Sequence, residues 1–294
     1  MPELPEVETI ARGVNERLRG DRIVEVWLGR HREPFKTSAA RQAKGLEGRV
    51  ILYVHRTGKH IVCELGTTES SLQSSSRKNK NLARPVAPEA KPAAQWIVHL
   101  GMTGRLLVTT PEAPVAAHTH ARLSLASGRE LRFVDPRRFG RLELRDLSRC
   151  AGFSAPGADP LDVTEEEFVR LFRPRRLAIK AALLNQELLS GVGNIYADES
   201  LFRAGLRPRR PCARLTRAEF ERLRRALREV LTDAIRLGGS SVSDYVDADG
   251  VRGFFQLEHR VYLRTGLPCL RCQTPIRRIL LAGRGTHFCP MCQV

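Results

Sequence analysis

The chain has no run of about 18 apolar residues, the length a membrane-spanning helix needs, so no such helix is expected. Its first residues are acidic and lack an apolar stretch, which excludes a secretory signal. Acidic side chains are outnumbered: 32 Asp and Glu stand against 49 Lys and Arg, a net charge of +17. Cysteine is sparse outside the tail, and the scattered Cys63, Cys150 and Cys212 are expected as small buried hydrophobes. These absences point to a soluble, cytoplasmic protein with no membrane partner. The basic excess suits nucleic acid first and an anionic membrane surface second, with a compositional taste for arginine as a third reading. Most of it is arginine, whose planar fork of donors matches phosphate.

With 294 residues there is room for two domains and a small third module. Short β-branched runs dominate to about residue 145: Ile23–Leu28, Val50–Val54, His60–Leu65, Trp96–Leu100, Arg105–Thr109, Ala121–Leu125, Glu130–Val134 and Arg141–Leu144. No helical crossovers fit between them, which excludes a parallel sheet and leaves an antiparallel sandwich or barrel. Ser127-Gly128 reads as a two-residue hairpin turn. Residues 69–95 are polar, then rich in Ala and Pro, and read as a disordered insertion in a surface loop. From about residue 160 the pattern is helical. Thr164 with Glu167, and Thr216 with Glu219, fit capping boxes. Phe220, Leu223, Leu227, Val230, Leu231, Ala234 and Leu237 share one helical face; Arg217, Arg222, Arg224, Arg225 and Arg228 occupy the other, as on a solvated face.

The chain opens Met-Pro-Glu-Leu-Pro-Glu-Val-Glu. If Met1 is removed, Pro2 becomes a secondary amine with a pKa near about 8, partly unprotonated at neutral pH. Such an amine attacks a sugar C1′ to give an iminium, an electron sink. Glu3 stands beside it and Glu6 one turn on. A plainer reading makes Pro5 a first-turn proline and Glu6 and Glu8 dipole partners of a helix with Val7, Ile10, Ala11, Val14 and Leu18 inside and Gly20 at its end. That reading gives Pro2 and Glu3 no task.

In the tail, Cys269-x-x-Cys272 and Cys289-x-x-Cys292 have the spacing of a four-thiolate zinc ribbon, with one structural zinc and no open coordination position. Disulfides are the alternative, disfavoured in a reducing compartment. Between the pairs, Arg284 lies between Gly283 and Gly285, placed for a phosphate contact or simply in a turn. Upstream, Gly191 and Gly193 fit a double turn between helices. Asn194 then caps the next helix, binds a phosphate, or does both.

The opening, together with Asn185 to Ala204, resembles the Fpg/Nei superfamily of DNA glycosylases, and the bacterial formamidopyrimidine-DNA glycosylases in particular. The 185–204 segment matches their helix–two-turns–helix motif nearly residue for residue. Arg56-Thr-Gly-Lys59-His60, His99-Leu-Gly-Met102-Thr-Gly104 and Asp135-Pro-Arg137-Arg138-Phe139-Gly140 match as well. The resemblance implies an α+β chain. Residues 1–150 form a β-sandwich carrying the catalytic helix, residues 151–250 a helical helix–two-turns–helix domain, and residues 251–294 a zinc-finger hairpin.

It further implies a bacterial base-excision enzyme, monomeric and held at the nucleoid by double-stranded DNA. That enzyme removes 8-oxoguanine opposite cytosine and formamidopyrimidines through a Pro2 Schiff base, then nicks by β,δ-elimination. Pro2, Glu3 and Lys59 are the implied catalytic residues, and Glu6 and Glu199 the supporting ones. Asn194, Arg284, His99, and His118 or His120 are implied DNA contacts. Met102, Arg137 and Phe139 are the implied wedge that fills the gap left by a flipped base, with a core role for Met102 and Phe139 as the alternative. The stretch 238–256 resembles the loop that caps the lesion. The Nei relatives, which prefer oxidised pyrimidines, usually open with Gly where this chain has Leu4. A noncatalytic DNA-binding protein would explain the charge and the cysteines alone.

Overall fold

The computed structural model describes residues 2–67, 91–242 and 245–294. By compactness the chain falls into two units: residues 1–2, 7–154 and 244–251, and residues 3–6, 155–243 and 252–294. Helix α1 (Leu4–Leu18) begins in the second and continues in the first. Its stripe of Val7, Ile10, Ala11, Val14 and Leu18 is buried as the spacing requires, and Gly20 at φ +84° turns the chain away.

The first unit is built on two antiparallel four-stranded sheets. The strands are β1 (Ile23–Leu28), β2 (Val50–Thr57), β3 (His60–Gly66), β4 (Ala94–His99), β5 (Arg105–Thr109), β6 (Thr119–Leu125), β7 (Glu130–Val134) and β8 (Arg141–Asp146). One sheet runs β1-β6-β7-β5 and the other β2-β3-β4-β8. Side chains from both, including Trp96, Val98, Leu123, Leu131 and Phe133, join the α1 stripe in a single apolar core. Each such fully buried large side chain contributes roughly 1.5–3 kcal/mol. The expected antiparallel sandwich is the observed fold.

Four local expectations need correction. The 125–129 hairpin is not a two-residue turn: the Gly128 N–H donates to Leu125 O at 2.9 Å and Leu125 N–H to Arg129 O at 2.9 Å, leaving Ala126, Ser127 and Gly128 in the loop. Gly128 has φ +83°, the left-handed position that a three-residue hairpin demands. A helix α2 (Ala39–Leu46) was not anticipated; it buries only Gln42 and Leu46, too few apolar residues to show a period. Ala94 and Gln95, expected at the end of the 69–95 insertion, instead pair in β4, while residues 69–90 lie outside the described residues. Cys63 and Cys212 are buried, but Cys150 is exposed, in the turn after β8.

The second unit holds α3 (Glu165–Phe172), α4 (Ile179–Leu184), α5 (Asn194–Ala204) and α6 (Arg217–Arg236) around a core that includes Leu4, Phe168, Tyr196, Phe220, Leu227 and Leu231. Thr216 and Glu219 make both bonds of a capping box at α6. Thr164 accepts from the Glu167 N–H at α3. A two-stranded hairpin, β9 (Arg277–Leu281) and β10 (Arg284–Phe288), packs in this unit beside a small core of Phe202, Val261, Cys269, Ile276 and Cys289. Ala282 and Gly283 form its turn, both at positive φ, so Arg284 is the first strand residue rather than the tip.

Candidate active site and nucleic-acid interface

In the second unit Glu3 is buried. Its Oε1 accepts from the Ile195 N–H at 3.2 Å and its Oε2 from the Tyr196 N–H at 3.5 Å. The start of α5 is thus capped by a carboxylate from the other end of the sequence. The cap residue in the chain is Gly193, not Asn194 as the sequence suggested, and Gly193 has no side chain with which to cap. A Cβ there would overlap the Glu3 carboxyl, with Glu3 Cγ at 2.6 Å, so the glycine is required by close approach. Gly191, at φ +106°, accepts the Leu4 N–H at 3.0 Å and holds the N-terminal segment to the same turn.

Glu6 is buried behind Glu3. It accepts from the Glu3 N–H at 2.8 Å, the Ser240 N–H at 2.7 Å and the Tyr196 hydroxyl. Burial pushes its carboxyl above the ordinary 4.5, and these donors pull it back. Glu199 is also buried; the N–H groups of Arg260, Val261 and Tyr262 donate to its carboxylate at 2.8–3.0 Å. It pins the chain leading into the zinc module. Asn194 Nδ2 donates to Gly285 O at 3.0 Å, tying α5 to the residue after Arg284, whose own side chain is exposed.

In the first unit, Lys59 follows Gly58 in the β2–β3 turn and is half-buried. Arg56 steadies that turn: its guanidinium donates to Glu8 of α1 at 2.8 Å and to Gly58 O at 3.3 Å. His60 and His99 pair across β3 and β4 with ring centroids 4.8 Å apart. Desolvation, then neighbouring charge, draws both down to about 4, so both are neutral at pH 7. His118 is exposed at φ +63°. His120 is not: it is 2% exposed, with Nε2 3.0 Å from Asp135 O. It sits at the bulge between Thr119 and Ala121, out of phase with the inward-facing Ala121, Leu123 and Leu125, and its burial there leaves it no access to a phosphate, so that contact by His120 is withdrawn.

The two loops that carry Met102, Arg137 and Phe139 meet in this unit. Buried Asp135 accepts from Thr103 Oγ1 at 2.6 Å, the Arg137 N–H at 3.3 Å and the Gly140 N–H at 2.7 Å. Gly101, at φ +61°, brings the backbones together; a Cβ there would lie 2.5 Å from Gly140 N. Met102 and Phe139 are 41% and 49% exposed, so neither is a core residue. The Arg137 guanidinium lies 4.9 Å over the Phe139 ring. The result is an apolar and cationic projection on a rigid base.

The sulfurs of Cys269, Cys272, Cys289 and Cys292 all lie within 4.8 Å of one another, and none is in a disulfide. Tetrahedral zinc, with Zn–S of about 2.3 Å, needs sulfurs about 3.8 Å apart. The donor set is thus that of a closed structural zinc site.

A model of the formamidopyrimidine-DNA glycosylase N-terminal domain matches residues 1–142, one of the family's H2TH domain residues 155–246, and one of the zinc finger found in FPG and IleRS residues 266–294. The chain belongs to the formamidopyrimidine-DNA glycosylase family. It is 41% identical to the formamidopyrimidine-DNA glycosylase of Solibacter usitatus, covering 100% of this chain and 99% of that one. Among solved structures, MutM (Fpg) of Thermus thermophilus superposes with a TM-score of 0.77 at 40% identity, covering 99% of this chain and 98% of that one. Lactococcus lactis Fpg in complex with Fapy-dG-containing DNA gives 0.80 at 32%, covering 99% of each chain.

Within this family frame, the structure joins Glu3, Glu6, Glu199, Asn194 and the Arg284 hairpin in one unit, and Lys59, His99, Met102, Arg137 and Phe139 in the other. Pro2 is buried. Sequence reasoning missed Asp135, which organises both projecting loops, and Gly193, whose missing Cβ makes room for Glu3. The Asp-Pro turn and the paired glycines were visible signals for both. Among the described residues no helix is long and apolar enough to cross a membrane.

Proposed function

We propose that the protein is a bifunctional DNA glycosylase and AP lyase acting on oxidised purines in double-stranded DNA, chiefly 8-oxoguanine opposite cytosine and formamidopyrimidines. The observation that carries this reading is the Glu3 carboxylate, buried on the amides of α5 next in sequence to Pro2. The damaged nucleotide must leave the stack before its C1′ can reach Pro2. The Pro2 nitrogen attacks C1′, the glycosidic bond breaks, and the base leaves with a proton from water. The Glu3 carboxylate takes the proton that the attacking amine sheds and passes it to the ring oxygen as the sugar opens to an iminium. The iminium acidifies the C2′ proton. Its loss expels the 3′ phosphate, a second elimination expels the 5′ phosphate, and hydrolysis frees Pro2.

Lys59, His99, Asn194 and Arg284 bind phosphates. Met102 and Phe139 fill the vacated stack and Arg137 donates to the orphaned cytosine. Glu6 and Glu199 hold this machinery in place, and the zinc only staples the hairpin. Residues 1–150, 151–250 and 251–294 act as catalytic, helical and zinc modules of a monomer working on chromosomal DNA in the bacterial cytoplasm.

The test is a labelled duplex with a single 8-oxoguanine opposite cytosine, beside one with thymine glycol. The proposal expects a one-nucleotide gap with phosphate on both ends, formed faster on 8-oxoguanine. Preference for thymine glycol would reassign the substrate to pyrimidines. Binding to both duplexes without nicking would leave a DNA-binding protein only.

A further inference from the structure

We propose that the buried Lys180–Asp198 pair is the positioning device for Arg284. It fixes the β9–β10 hairpin on α4 and α5, so that a phosphate grip depends on two side chains that no phosphate can touch. The inference rests on the reading of Arg284 as a DNA contact.

Both side chains are 0% exposed, and Lys180 Nζ lies 2.6 Å from Asp198 Oδ1. Neither charge is spent only on the other. Lys180 also donates to Thr286 Oγ1 at 2.7 Å and to Gly285 O at 3.2 Å. Asp198 Oδ2 accepts from the His287 N–H at 2.8 Å, with His287 Nδ1 at 3.2 Å. Asn194 Nδ2 shares Gly285 O. The three residues directly after Arg284 are therefore bonded, in order, to side chains of α4 and α5.

A two-stranded hairpin alone is marginal in water, and this one exposes Arg277, Arg278 and Leu280. The four cysteines hold one end, with Cys289 directly following β10. The Lys180–Asp198 pair holds the strand that starts with Arg284. A buried ion pair adds little stability over apolar side chains of the same volume, so fold stability is a poor reason for this one. Its geometric yield is a cationic side chain delivered to a fixed point.

The experiment measures affinity for a duplex with a stable abasic-site analogue, against salt, for four zinc-loaded proteins: wild type, Arg284→Ala, Lys180→Met with Asp198→Leu, and the triple variant. Removing both charges leaves neither unpaired, and zinc content is checked at one per chain. Losing one phosphate contact lowers the log–log salt slope by about 0.9. Arg284→Ala is expected to weaken binding roughly tenfold with that slope change. The double variant should show the same loss and slope, and the triple variant no more than either.

Retained affinity in the double variant, or losses that multiply in the triple variant, overturns the proposal. A silent Arg284→Ala would instead refute the phosphate reading of Arg284 and the inference with it. Should the double variant fold poorly, Thr286→Val removes one Lys180 bond and keeps the ion pair. It should weaken binding in the wild-type background and be silent beside Arg284→Ala; equal effects in both backgrounds count against the proposal.

Discussion

Gly193→Ala is the sharpest probe of Glu3. The backbone at Gly193 has φ −129° and ψ −164°, an extended conformation open to any residue, so alanine brings no backbone strain. The three atoms nearest the new methyl all belong to Glu3, whose Cγ would lie 2.6 Å away. The carboxylate must withdraw from the Ile195 and Tyr196 amides. A hydrogen bond to a charged group contributes about 1.5–3 kcal/mol, and the longer Tyr196 contact less, so the displacement costs about 2–4 kcal/mol. At about 1.36 kcal/mol per decade, the expected fall in rate is about 30- to 1,000-fold. Single-turnover cleavage of a preformed abasic duplex reads this directly, with affinity measured separately and expected to change less than about threefold. Glu3→Gln supplies the control: once Glu3 is disabled, adding Gly193→Ala should slow the reaction no further. Wild-type cleavage by Gly193→Ala, or an equal additional loss on top of Glu3→Gln, would refute the assignment of proton transfer to a helix-held Glu3.

Phe139→Ala should leave stability within about 0.5 kcal/mol, since the ring is exposed, and weaken binding to a lesion duplex by about 1–3 kcal/mol of lost stacking; a large fall in Tm would return Phe139 to the core. Metal analysis should find one zinc per chain, and chelation or Cys289→Ser should abolish DNA binding as the small core around Cys269 and Cys289 opens; full binding by a metal-free protein would contradict this. The Arg210 side chain, helped by Thr216, draws Glu219 down from 4.5 to about 2. Its ionised form therefore stabilises the fold above about pH 4.5, and that contribution is lost as pH falls through about 2. Urea midpoints should fall less steeply over this window in Glu219→Gln, and identical profiles would dismiss the cap. His99 ring resonances should show a neutral imidazole from pH 5.5 to 8 in the free protein; a midpoint near 6.5 would show that burial and the neighbouring Lys59 charge do not control it.

Much of the fold is readable because period and punctuation coincide. β1, β5 and β7 span the residues expected of them, and α1 and α6 bury the residues their spacing selects. Strand ends are less visible where pairing outlasts hydrophobicity: β2 continues through His55, Arg56 and Thr57 because β3 pairs with them. Helix α2 hides because Gln42 takes a core position, donating to Thr37 O and accepting from the Trp96 indole N–H. The cap of α5 is the instructive miss. Local rules favour Asn at a helix start, but the partner that satisfies those amides is 192 residues away in sequence. Lys180 and Asp198 are unreadable for the same reason, since each is defined by residues that only the fold assembles. The cysteine spacing, by contrast, carries its own geometry, and the four sulfurs converge as it requires.

The central claim is that the Pro2 nitrogen is the nucleophile. Borohydride trapping on an 8-oxoguanine–cytosine duplex, using protein whose first residue is verified as Pro2, tests it most directly. The mechanism predicts a covalent protein–DNA adduct that maps to Pro2 and disappears when Met1 is retained, with DNA binding intact. An adduct that persists with Met1 in place, or tight binding and nicking with no adduct at all, would contradict it.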